Sequence, residues 1–309
     1  MRIGIIGAGK VGTAFGLFLK DQGEAIAGYA SRTHDSALKA AELTHSEAFR
    51  NPLDLICEAD LVFLTVVDDQ IEVVAQDLAE ALSLLETQKS GKKKELLSPE
   101  SLKRPIFVHM SGAHSRDALA PLSLAGFETA TLHPLVSVSE VQRARDAFGK
   151  ALFSAEVESG GGFEAWLVNL GIPFVRLEAG SKALYHAGAV FASNFVVTLM
   201  DTAVQLFKEV GFSEKEAIKG LLPLVYGSLD NVARSGTAEA LTGPVARGDV
   251  ATVEKHLKAL EAFSEVLGLY KTLSAATLTL AERDKLKVKP DAAAELANLL
   301  NEEDTKGEG

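Results

Sequence analysis

The chain has 309 residues, enough for about two domains. Hydrophobic residues make up 47% and charged residues 24%, which supports a buried core and excludes global disorder. The net charge of −11 excludes a broad basic surface for nucleic acid, and a single cysteine excludes a disulfide framework or a cysteine-rich zinc site, so no metal is expected.

In chain order, Arg2–Gly7 reads as a strand and Lys10–Gln22 as a helix with Val11, Phe15, Phe18 and Leu19 on one face. Ala25–Ala30 is a second strand. Cys57 lies in an apolar stretch and reads as a small buried hydrophobe. Ala59–Val67 is a continuous apolar run, as expected of a strand covered on both faces. Ile71–Leu85 returns to helix, and the lysine-rich segment Lys89–Lys94 reads as a solvated loop. Pro105–Met110, Glu128–Leu132, Ala151–Val157 and Phe174–Leu177 are further strands, with a helix at Phe163–Leu170. This alternation predicts an α/β fold with a doubly wound, mostly parallel sheet.

After Ala179 the strand signals stop. Ser181–Val210 reads as one long helix, Pro223 and Thr242-Gly243-Pro244 punctuate those that follow, and Val250–Leu267, Lys271–Asp284 and Asp291–Asn301 look amphipathic. The expected organisation is a dinucleotide-binding domain over 1–178, a helical substrate and dimerisation domain over 179–301, and an unstructured tail over 302–309. No apolar run reaches about 18 uninterrupted residues, so no membrane span is expected and a cytoplasmic location follows. The long apolar runs around Phe191–Met200 and Leu221–Tyr226 suggest a homodimer through the helical domain.

Gly7-Ala8-Gly9-Lys10-Val11-Gly12 fits the G-x-G-x-x-G pattern. It follows a strand and opens a helix, which makes it a dinucleotide-binding loop. Gly7 permits the tight turn, Gly9 lets the backbone approach a pyrophosphate, and Gly12 lets helix and strand pack closely. An NAD site normally ends its second strand with a carboxylate. Here the strand runs into Ser31-Arg32-Thr33, with no carboxylate to repel a 2′-phosphate and an arginine able to pair with it. NADP is therefore the expected cofactor. Val66, at the end of the Ala59–Val67 run, is expected to line its cleft, and Ser111 to lie beside the nicotinamide. His114 and His133 also follow strand ends and are candidates to touch substrate.

Lys182 and His186 are four residues apart at the start of the long helix, so they share a face. Ser193 and Asn194 lie on or near that face. Reducing a carbonyl leaves charge on oxygen, which a cationic proton donor stabilises. Lys182 is the first candidate for that donor and His186 the second, with Asn194 and Ser193 orienting substrate. Arg247, in the segment LTGPVARGD, is a candidate to hold a substrate carboxylate, or to form an ion pair with Asp249 or another acid.

The GAGKVG start, Ser31-Arg32, His109…Ser111-Gly112, Leu132-His133-Pro134-Leu135, Tyr185-His186-Ala187, Phe191-Ala192-Ser193-Asn194 and LTGPVARGD together resemble the bacterial Rossmann-like NADP reductases with a C-terminal helical domain of long-uncharacterised type. The resemblance spans nearly the whole chain, to about residue 285. It implies an NADPH-dependent oxidoreductase, with ketopantoate reduction in pantothenate synthesis as the best single expectation. The architecture is also similar to pyrroline-5-carboxylate reductases and β-hydroxyacid dehydrogenases. In the latter a catalytic lysine on the first interdomain helix is followed four residues on by asparagine. Lys182 matches that lysine, but His186 stands at the second position. Cyclic-imine reduction is the alternative enzyme reading, and a non-catalytic NADP-binding sensor the reading from a different class.

Overall fold

In the computed structural model, which describes residues 1–87, 104–283 and 289–301, the short apolar runs form strands β1 (Arg2–Ile6), β2 (Ala25–Ala30), β3 (Glu47–Phe49), β4 (Leu61–Leu64), β5 (Ile106–His109), β6 (Thr129–Pro134), β7 (Phe153–Glu156) and β8 (Phe174–Arg176). They make one sheet in the order β3-β2-β1-β4-β5-β6-β7-β8. The strands β1 to β6 pair in parallel, β7 runs antiparallel to β6, and β8 is parallel to β7.

Helices cover both faces, so the central strands are apolar at every position. On one face α1 (Lys10–Asp21), α6 (Val141–Phe148) and α7 (Gly162–Leu170) enclose Ile3, Ile5, Phe15, Phe63, Val108, Phe153 and Trp166. Phe15 meets Phe63 and Phe148 edge-on, with centroids 5.0 and 5.6 Å apart. On the other face α3 (Pro52–Glu58), α4 (Ile71–Thr87) and α5 (Ala120–Leu124) pack on Ile6, Val62, Leu64 and Phe107. Strand β6 departs from this pattern: Ala130 and Leu132 join the first core, while Thr129, Thr131 and His133 alternate onto the opposite face. That polar stripe is where α8 (Lys182–Ala192) makes its contacts.

By compactness the chain divides into two units, 1–194 and 195–309. The sequence reading starts the second domain at 179, but α8 is held to β6 by Lys182 and Tyr185 and so falls within the first unit. The single helix expected over Ser181–Val210 is two, because Ser193 leaves helical geometry (φ −127°, ψ −70°) between α8 and α9 (Asn194–Glu209). Together, Lys182–Glu209 is long and apolar enough by composition to cross a membrane, the one such stretch among the described residues. The counting of uninterrupted apolar residues missed it because Asn194 and Asp201 break the run.

The second unit continues with α10 (Glu214–Ala240), α11 (Pro244–Arg247), α12 (Val250–Leu260), α13 (Ser264–Arg283) and α14 (Pro290–Asn301). Val245, Val253, Leu257, Leu260, Leu267, Leu278, Leu296 and Leu300 form its main core. Pro223, expected to separate helices, lies inside α10; the non-helical residue there is Gly236, at φ 80°. The break expected between Leu267 and Lys271 is absent, since α13 runs through it. The reading also passed over β3, α2 (His34–Thr44) and α3. Cys57, expected to be buried, is half-buried on α3, and burial together with Asp54 and Glu58 pushes its thiol pKa up. The Lys89–Lys94 loop and the 302–309 tail lie outside the described residues.

Candidate functional site

Strand register places one residue from each of six strands in a row: Ala30, Ile6, Leu64, His109, Thr131 and Glu156. Strand order reverses between β1 and β4, and the turns leaving the carboxyl ends of β1, β2, β4 and β5 follow directly on this row. In an open α/β sheet that is where ligands bind.

At the β1 end the glycine loop has the backbone the sequence demands. Gly7 takes φ 110°, and a Cβ there would lie 2.6 Å from the Thr65 carbonyl carbon. Gly12 is tighter: a Cβ would lie 2.2 Å from the Gly7 oxygen and 2.3 Å from Thr65 Oγ1. The Thr65 hydroxyl donates to the Gly7 oxygen at 2.6 Å, so it fills the space a side chain would need. Gly9 faces open space and begins α1 with no side-chain cap. Lys10 is exposed, no acid stands in the first turn, and Val11 packs against the core. A helix start of this kind leaves N–H groups and a positive dipole end for an anion. Ser31 is half-buried at the end of β2, and Arg32 and Thr33 are exposed there. Thr33 shares a hydrogen bond of 2.7 Å with Ser36. Val66 is half-buried against the second core, and its backbone nitrogen is in the close approach to Gly7.

The turn after β5 is built around buried His109. Burial pushes its pKa down to about 4 and keeps the ring neutral. Its Nδ1 accepts from the Ser111 amide at 3.2 Å, and its Nε2 donates to the Ser115 carbonyl at 2.9 Å. Ser111 Oγ donates to Asp68 at 2.9 Å and accepts the amides of Ala113 and His114 at 3.1 Å. His114 Nδ1 lies 3.7 Å from the same Asp68 carboxylate. Ser111 and His114 therefore shape this turn.

Next to it, α8 delivers three polar side chains onto the β6 stripe. His133 Nδ1 and the Tyr185 hydroxyl share a hydrogen bond of 2.7 Å, and burial pushes the His133 pKa down to about 4. Gly112 fits between rings: a Cβ there would lie 2.7 Å from His133 Nε2 and 2.9 Å from His186 Nδ1. His186 Nδ1 is buried with no hydrogen-bond partner among the described residues. Lys182 is 2% exposed, its Nζ donates to Thr131 Oγ1 at 3.3 Å, and it lies 5.7 Å from the Tyr185 ring centre. Desolvation pushes its pKa below the ordinary lysine value, with the charges of Glu156 and Asp68 opposing that shift. Thr131 Oγ1 is its one hydrogen-bond acceptor among the described residues, which leaves two ammonium N–H bonds to offer an incoming oxygen.

The first unit thus brings together Ser111, His114, His133, Lys182 and His186. Ser193 and Asn194 are exposed at the break after α8, with Ser193 Oγ 2.7 Å from the Ala189 carbonyl and 3.0 Å from Asn194 Oδ1. Arg247 ends α11 in the second unit. Asp249 caps α12, accepting from the Thr252 amide and hydroxyl at 3.1 and 2.8 Å. The reading left out Asp68, Thr131, Glu156 and Tyr185 as site residues. A glutamate ending an otherwise buried apolar strand, Phe153-Ser154-Ala155-Glu156, was the available signal. Among the described residues no group of three His, Cys, Asp or Glu side chains is arranged to hold a metal.

Residues 1–134 match a Rossmann-like domain, and residues 161–277 match a domain of unknown function, DUF2520. No curated protein matches the chain by sequence. Among solved structures, a protein from Thermotoga maritima is similar at 22% identity and TM-score 0.66, over 92% of this chain and 99% of its own. A pyrroline carboxylate reductase from Plasmodium falciparum with NADP bound is similar at 12% identity and TM-score 0.56, over 91% and 98%. An imine reductase from a Pseudomonas species is similar at 17% identity and TM-score 0.55, over 96% and 99%. At these identities the likeness is one of fold.

Proposed function

We propose that this chain, a Rossmann-like domain joined to a DUF2520 domain, is a cytoplasmic NADPH-dependent reductase of a small 2-oxo acid, with ketopantoate the favoured substrate. The observation that carries this reading is the buried Lys182 ammonium, with N–H bonds to spare, on the carboxyl-end row of the sheet that also carries the glycine loop. The residues fit the cofactor: open Gly9 and the uncapped start of α1 suit a pyrophosphate, and exposed Arg32 with Ser31 suits a 2′-phosphate. NADPH supplies the hydride when bound. Lys182 then meets the developing alkoxide with a positive charge in a site of low dielectric and donates the proton. The His133–Tyr185 pair and the clipped turn at Ser111 hold the walls of that site in one arrangement.

The likeness in fold to a pyrroline carboxylate reductase and an imine reductase favours a second reading, reduction of a cyclic imine. Loss of reduced-nicotinamide absorbance with ketopantoate and with pyrroline-5-carboxylate, side by side, tests both. Turnover of ketopantoate supports the first reading, and turnover of the imine alone replaces it with the second. Tight NADPH binding without turnover of any carbonyl or imine overturns both in favour of a sensor.

Replacing Arg32 by alanine is expected to weaken NADPH binding about tenfold or more while leaving NADH binding within about twofold, because a charge-assisted phosphate contact is worth roughly 1.5–3 kcal/mol. Fluorescence titration of both nucleotides checks this, and equal losses for the two would refute the assignment of Arg32 to the phosphate.

We also infer a homodimer. The second unit exposes Val197, Val210, Leu224, Tyr226 and Leu229, more apolar surface than a soluble single chain ordinarily leaves in water. Sedimentation velocity at micromolar concentration is expected to return twice the chain mass, and a monomer there would exclude the dimer.

A further inference from the structure

We propose that Glu156 is the positioning residue of this site, the buried counter-charge that keeps Lys182 protonated and set in place for proton donation; the proposal rests on the reductase reading. Antiparallel pairing sets Glu156 directly opposite Thr131. Thr131 Oγ1 accepts from both sides, from the Glu156 backbone amide at 3.0 Å and from Lys182 Nζ at 3.3 Å. The Glu156 backbone and the Lys182 ammonium therefore meet at one hydroxyl, and because directly opposed residues of an antiparallel pair share a face, the Glu156 side chain stands on the side from which Lys182 reaches Thr131. Glu156 is 6% exposed. Its Oε2 accepts the Arg116 amide at 2.6 Å, which anchors the carboxylate at the start of a 3-10 turn (Arg116–Leu119). Its Oε1 is buried and has no partner among the described residues. A buried carboxylate with one oxygen tied down and the other unpaired is expensive unless a positive charge lies close.

The other groups acting on Lys182 do not replace it. Asp68 is half-exposed and already tied to Ser111, so solvent screens it. His109 on β5 and His133 on β6 are held neutral by burial. Tyr185 and His186, from α8 itself, carry no negative charge to offer: one places its ring centre 5.7 Å from Lys182 Nζ and the other its imidazole against Gly112. Arg116 turns its guanidinium to Glu158, at 3.5 Å. Glu156 is thus the negative charge shielded from water that can hold a proton on Lys182 at working pH.

The test is Glu156→Gln, which keeps an oxygen for the Arg116 amide and deletes only the charge. Competitive acetylation of the intact protein across pH, read by mass spectrometry, measures the Lys182 pKa without using activity. It is expected to fall by about one unit or more. The alkaline limb of the kcat profile is expected to move down by the same amount, with KM for NADPH within about twofold. Asp68→Asn is expected to shift the Lys182 pKa less, and Glu156→Asp, which keeps the charge, to restore part of the loss. An unchanged Lys182 pKa in Glu156→Gln overturns the proposal, as does a drop in kcat that is uniform across pH. If Glu156→Gln does not fold, a Lys182 pKa in Glu156→Asp equal to that of the unaltered protein with an unmoved kcat limb overturns it, while a shift in both supports it. A shifted pKa in a protein that turns over no carbonyl or imine upholds the pairing and refutes the reductase reading alone.

Discussion

Exchanging Lys182 for methionine is expected to lower kcat by about 100- to 10,000-fold, the span typical of losing a positioned general acid. NADPH affinity should stay within about twofold, because the glycine loop and Arg32 lie at other strand ends. Lys182 is buried, and desolvation lowers its pKa on folding. A lysine whose pKa drops on folding works against the native state wherever the unfolded lysine is protonated, below about pH 10. Methionine fills similar space but leaves the buried Glu156 carboxylate without its counter-charge, so the denaturation midpoint should fall in Lys182→Met and recover when Glu156→Gln is added. A structural lysine would regain its rate in that double variant, whereas a proton donor would not. The unaltered enzyme should lose activity as pH rises through the Lys182 pKa, which lies below the ordinary lysine value, and the methionine variant should lack that limb. Steady-state kinetics across pH and urea denaturation, run on all three proteins, decide it. Wild-type kcat in the variant would remove Lys182 from the mechanism and turn attention to His186.

Exchanging Gly12 for valine is expected to abolish nucleotide binding and to destabilise the first unit by about 3 kcal/mol or more, at or beyond the usual upper end for overpacking. The added Cβ would sit 2.2 Å from a carbonyl oxygen and 2.3 Å from the Thr65 hydroxyl that bonds to that same oxygen. A backbone carbonyl cannot swing aside as a side-chain end can, so α1 must lift off β1. That moves the helix start away from the position in which it would face a pyrophosphate. Gly9→Ala is the matched control: a Cβ there meets nothing within 4 Å, so stability should change little while binding suffers from lost backbone approach. Nucleotide titration and chemical denaturation of both variants check the pair. Tight NADPH binding by Gly12→Val would refute the geometry assigned to the loop.

Periodicity and glycine spacing were enough to place the sheet, because buried parallel strands such as Leu61–Leu64 are apolar throughout and the loop's three glycines have few other uses. The lysine and histidine on α8 were also readable, since residues four apart share a helix face. What stayed hidden depended on pairing between distant residues. Thr131 looks like an ordinary strand threonine until β7 turns antiparallel and sets Glu156 opposite it. Ser111 and His114 read as candidates for ligand contact, yet their hydrogen bonds, with those of His109, largely close their own turn. The break at Ser193 has no proline or glycine to announce it, so α8 and α9 read as one helix.

The row of residues across the sheet is built from very unequal spans of chain. Closing the glycine loop needs Thr65 to reach Gly7, and everything it requires has been synthesised soon after residue 65. The polar end needs Lys182 to find Thr131 across 51 residues and Tyr185 to find His133 across 52, after β7 has doubled back. Loop-closure entropy makes such distant contacts late ones. A growing chain can therefore close its glycine loop well before Lys182 can reach Thr131, so the two ends of the row form in sequence order.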